Sequence, residues 1–162
     1  MDKSIEEKKL YLEEHFYYEV MMMLFSYKKS ENSKYITTDF REDNLAIEGF
    51  LLHVRGLIEF FFYSAVKKDA RAYEFVENWN DIQPKIKDEM ILIKDRIDKE
   101  LAHLTWGRKD PNNPDKNWDL DSIYIKMLKT LKVFIENLGD NLKGKNMRAL
   151  VSYLALHQLT AG

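Results

Sequence analysis

Two residues with the equipment for phosphodiester chemistry stand seven positions apart, in the run Arg96-Ile97-Asp98-Lys99-Glu100-Leu101-Ala102-His103. At about 100° per residue, seven steps on a helix return to within about 20° of the start, so Arg96 and His103 share one stripe two turns apart. Glu100 lies about 40° from Arg96 on the same ridge. An arginine grips a phosphate with a planar fork of donors, and an imidazole moves a proton near neutral pH. Together they are the minimum set for cleaving a phosphodiester without a metal.

A second polar pair interrupts the most apolar stretch of the chain. Arg55 and Glu59 are four residues apart, hence on one helical face, and are expected to form an ion pair that fixes register, floors a site or lines a dimer seam. The four histidines, His15, His53, His103 and His157, fall on four predicted helices. A carboxylate-bridged metal pair would need two Glu-x-x-His motifs, and the chain has one, Glu100-Leu101-Ala102-His103, so neither a metal nor a cofactor is called for. There is no cysteine, which removes disulfides, thiol nucleophiles and zinc-finger ligation. Gly-rich phosphate loops, Gly-x-Ser-x-Gly elbows and His-Glu-x-x-His motifs are missing too.

These residues must be positioned by helices. The 162 residues are 45% hydrophobic and 32% charged, with 6 Gly and 3 Pro, which suits one packed domain over 1–162. Apolar spacing predicts an all-α, up-down bundle of five to six helices. The first runs from Ser4 to Lys28, with Met21 to Phe25 apolar on all sides, and Ser30 to Lys34 is a polar break. Asp39 and Glu42 cap a second, core helix reaching Lys67, and Asp69 caps a short third through Val76. Pro84 suits the first turn of a fourth helix extending to Trp106. Residues 107–118 form a long polar loop. Asp119 or Asp121 caps a fifth helix ending at Gly139, and a last one follows Lys145.

The net charge of −2 conceals an asymmetry. From Ser122 onward the balance is +4, leaving −6 for the first 121 residues; the reading is a solvated helical surface, with an anion-facing region as the alternative. No secretory leader is legible at the N-terminus, and His53, Arg55 and Glu59 spoil the Phe50–Val66 stretch as a membrane span, so a cytoplasmic protein is expected.

The Arg-x(6)-His spacing of Arg96 and His103 resembles the motif of the HEPN superfamily of small α-helical proteins. The segments His53-Val54-Arg55-Gly56-Leu57-Ile58-Glu59-Phe60-Phe61 and Ala102-His103-Leu104-Thr105-Trp106-Gly107-Arg108 are similar to stand-alone HEPN-like domains of bacteria. The resemblance implies a homodimer in which two motifs face each other and, in catalytic members, cleave RNA without metal through the ribose 2′-hydroxyl. His103 would then be the general acid or base and Arg96 the phosphate-binding residue. Glu100, Arg55, Glu59, His53 and Arg108 would support them, although Thr105, Trp106 and Arg108 are neighbours of the motif rather than members. Partners implied are RNA, or a protein of the antitoxin or nucleotidyltransferase type. One departure stands out: Ile97 follows the motif arginine where nuclease members commonly carry a polar residue, and Asp98 comes one position later. The readings are therefore a metal-independent ribonuclease of toxin or defence type, a non-catalytic dimeric interaction domain, or an unrelated helical bundle.

Overall fold

The computed structural model describes residues 3–36, 40–63, 69–101 and 117–158, and within these the chain is an all-α bundle with no strand. The first rod is continuous: α1 (Ile5–Tyr11), a π-helical turn (Leu12–Phe16) and α2 (Tyr17–Ile36). Ser4 starts it with a capping box, accepting from Glu7 N–H at 3.2 Å while its own N–H donates to Glu7 Oε2 at 2.9 Å. The expected end at Lys28 is not found, because the helix passes through the polar Ser30–Lys34 stretch. Ser30 is buried and its hydroxyl donates to the Tyr27 carbonyl at 2.7 Å, so its helix satisfies it internally. The Met21–Phe25 block is also not apolar-buried all round. Met23 and Leu24 are in the core, whereas Met21 and Phe25 are 37% and 58% exposed.

Helix α3 (Phe40–Phe62) packs antiparallel on α2. A Cβ on Gly49 would lie 3.1 Å from Ser26 Oγ, and one on Gly56 3.6 Å from Glu19 Oε2, so numbers rise on α3 as they fall on α2. The two glycines are seven apart, on one stripe, and at Gly49 the missing side chain lets α2 approach closely. Tyr63 already lies outside the helix; the rest of the stretch expected to reach Lys67, and the Asp39 cap, fall outside the described residues.

The short third helix is replaced by a 3-10 turn (Ala72–Glu74) and α4 (Trp79–Ile82). Asp69 does not cap a helix here, because its carboxylate is taken by Arg71 Nη2 at 2.9 Å. Asn78 turns the chain with φ 55°, a left-handed geometry that asparagine tolerates. Trp79, fully buried, donates its Nε1–H to the Phe61 carbonyl at 2.6 Å, in the last turn of α3.

Helix α5 (Lys87–Glu100) begins three residues after Pro84; its predicted extension to Trp106 and most of the 107–118 loop fall outside the described residues. Helix α6 (Leu120–Asn137) is capped as expected by Asp119, which accepts from Ser122 N–H at 3.0 Å. Helix α7 (Lys145–Gln158) has its first turn held by a distant residue: Glu13, in the π-helical turn, accepts from Asn146 N–H at 2.8 Å and Met147 N–H at 3.0 Å.

The core joins these pieces through aromatic rings. Phe16 of the first rod lies 5.1 Å from Phe134 of α6, which Phe61 and Trp79 approach edge-on at 5.5 and 5.6 Å. No helix among the described residues is long and apolar enough to cross a membrane.

Candidate functional site

The Arg96 ridge is built by α5, whose inner face places Met90 and Ile97 in the core. Ile97 is 1% exposed, so the residue after Arg96 serves packing rather than chemistry. Arg96 projects beside it. Its Nε–H donates to Glu100 Oε1 at 2.9 Å, one turn on, and its guanidinium carbon lies over the Trp118 ring, 3.9 Å from the centroid. Nη2 is buried and has no hydrogen-bond partner among the described residues. Arg96 and Glu100 are thus brought together as the spacing predicts, and Trp118 is a partner the sequence did not announce. His103 and Arg108 fall outside the described residues.

Arg55 and Glu59 do pair, at 3.3 Å, but as members of a larger cluster. Arg55 also donates to Asp98 across the α3–α5 interface, and Lys94 bridges Asp98 at 2.7 Å and Glu59 at 3.4 Å while standing 5.2 Å from the Tyr63 ring. Two cations and two carboxylates therefore close on one another. Burial pushes the Asp98 carboxyl up, yet the hydrogen bonds from Arg55 and Lys94 win and hold it below the usual carboxylate range. The Asp98 hydrogen bond raises Arg55 and Lys94. The sequence pointed to Asp98 only for its place after the motif arginine and not to Lys94, although the signal was present: they are four apart on α5, as Arg55 and Glu59 are on α3, so two such pairs can interdigitate.

His53 belongs to neither group. It is 8% exposed, faces α2, donates from Nδ1 to Glu19 Oε2 at 2.7 Å and meets the Tyr18 ring edge-on at 5.8 Å. His15 is exposed against Tyr11, and the His157 side chain lies outside the described residues. Among the described residues no group of three or more His, Asp or Glu could hold a metal ion. The sequence-predicted set is therefore split into the Arg96–Glu100 ridge, the Arg55–Glu59 network and the His53–Glu19 seam.

No protein-family model, curated protein or solved structure matches the chain.

A cavity of about 480 Å³ opens between the start of α3, Leu101 and the start of α6, with Trp118 in its wall. Its described charged lining is Glu48, Asp119 and Asp121, a field that repels a polyanion. Asp121 is engaged, accepting from the Tyr27 hydroxyl at 2.9 Å, and Tyr27 stacks on Tyr124 at 3.8 Å. Burial first, then that hydrogen bond, raises Tyr27 above the ordinary phenol range, so it stays a donor. The C-terminal excess of positive charge is partly spent in pairs: Lys126 with Glu89, Lys132 with Glu136 and Lys143 with Asp140.

Apolar residues lie open elsewhere. On α2, Tyr18, Met21 and Phe25 fall within about 60° of one another, on the side away from the core. On α3, Leu45 and Leu52 are 72% and 59% exposed and share a stripe bordering the Gly49–Gly56 seam. Because α2 and α3 run antiparallel with this seam between them, the two sets form one outer face.

Proposed function

We propose that this chain is a dimeric, HEPN-like interaction domain in which the Arg96 ridge is structural rather than catalytic. The carrying observation is the engagement of Arg96: one edge of its guanidinium is bound by Glu100 and one face is covered by Trp118. The cavity beside it presents carboxylates rather than cations among its described lining, which opposes RNA entry. Exposed apolar side chains on α2 and α3 supply what association needs instead, since contiguous uncovered apolar surface marks binding sites. The test is incubation of pure wild-type and His103→Ala protein with a broad RNA pool in a chelator. The expected result is no cleavage that depends on His103; cleavage by wild type that the substitution abolishes would contradict the proposal.

One observation favours the second reading, a metal-independent ribonuclease. Among the described residues Arg96 Nη2 has no hydrogen-bond partner, a donor that a phosphate oxygen would satisfy if the covering groups parted, with His103 transferring the proton. On that reading Arg96→Ala and His103→Ala lose cleavage to a similar extent and leave the fold intact.

A further inference from the structure

The outer face of the first rod, from the π-helical turn into α2, is complementary to itself when reversed. Exposed Glu14 is followed by Tyr18, then Met21 and the half-buried Met22, then Phe25 and the exposed Lys28 and Lys29. Turning a second copy end for end about a two-fold axis between Met21 and Met22 lays Glu14 on Lys29, Tyr18 on Phe25 and Met21 on Met22. An isologous interface requires this kind of self-complementarity, each contact occurring twice. The charges sit at the rim and the aromatic and methionine side chains at the centre, the arrangement seen in stable interfaces. Leu52 stands near the same axis, since His53 beside it reaches Glu19 and Gly49 faces Ser26.

Resting on the reading of this chain as an interaction domain, we propose that the α2–α3 outer face binds a second copy of the chain, with α2 crossing its counterpart antiparallel about Met21 and Met22. This arrangement differs from the one implied by the sequence resemblance. Arg96 lies two residues before Asp98, about 160° round α5 from the side that contacts α3, so it points away from this face. The two Arg96 ridges therefore stay apart in the dimer and build no composite site.

The charge pattern gives a test that refolding defects cannot imitate. Glu14→Lys and Lys29→Glu each place like charges opposite one another twice in a homodimer, whereas mixing the two variants restores opposite charges at both contacts. By sedimentation equilibrium at low salt, each variant alone should dimerise about 10-fold more weakly than wild type, and the equimolar mixture should recover wild-type affinity. Phe25→Glu should weaken dimerisation by roughly 30-fold or more, while Ile125→Glu, on the exposed side of α6, should leave it unchanged. A wild-type dimer that tolerates Phe25→Glu but is broken by Arg96→Glu would overturn this face while leaving the interaction-domain reading standing. A wild-type protein that stays at 19.3 kDa throughout the concentration range would overturn the dimer altogether.

Discussion

Helix α3 borders two regions of opposite character. Toward α5 it presents Arg55 and Glu59, whose charges close with Lys94 and Asp98 in a network of two cations and two carboxylates. Toward the outer edge of α2 it presents Leu45 and Leu52, which with Tyr18, Met21 and Phe25 remain open to solvent. The first region has spent its interactions inside the chain, and removing Asp98 leaves Arg55 and Lys94 to share the single carboxylate of Glu59. The second has unspent apolar surface, and covering it gains free energy without breaking anything. Charged residues in an apolar helix drew attention to the first region, yet the second has the capacity to bind.

Substitutions can break this contrast from either side. The largest effect is expected from Phe25→Glu, with a loss of dimer affinity of roughly 30-fold or more and little change in the monomer's thermal stability, because the side chain is exposed. Asp98→Ala should do the reverse. It leaves Arg55 and Lys94 facing each other without their shared carboxylate and should cost about 2 kcal/mol of folding stability by chemical denaturation, with dimer affinity unchanged. Gly144→Ala should cost about 1–2 kcal/mol, because its Cβ would stand 2.7 Å from Glu13 Oε1 and displace the carboxylate that caps α7.

A smaller effect concerns pH. Asp98 titrates below its unfolded value, so its contribution to stability is fully present above about pH 4 and is lost as pH falls through the depressed folded value. Thermal melts of wild type should therefore drop below pH 4 by more than melts of Asp98→Asn, whose side chain does not ionise. Equal acid slopes for the two proteins would remove Asp98 as the source.

Much of the fold was legible because apolar spacing and caps are local. Asp119 starting α6, the apolar stripe through Ile97, and the Arg55–Glu59 and Arg96–Glu100 pairs all follow from residues within a turn or two of each other. What was not legible depends on contacts between distant segments. Ser30 looks like a helix breaker until its own helix takes up its hydroxyl, and Asp69 looks like a cap until Arg71 claims it. Trp118 over Arg96, and Glu13 on the first turn of α7, join residues that no periodicity connects. The exposure of Phe25 depended on which side of α2 the core would occupy, which contacts with distant segments decide.

The most direct measurement is sedimentation equilibrium of wild type, Phe25→Glu and Asp98→Ala over a common concentration series. Wild type and Asp98→Ala should approach twice 19.3 kDa at high concentration, with Phe25→Glu remaining at 19.3 kDa. A Phe25→Glu protein that associates as strongly as wild type would contradict this expectation.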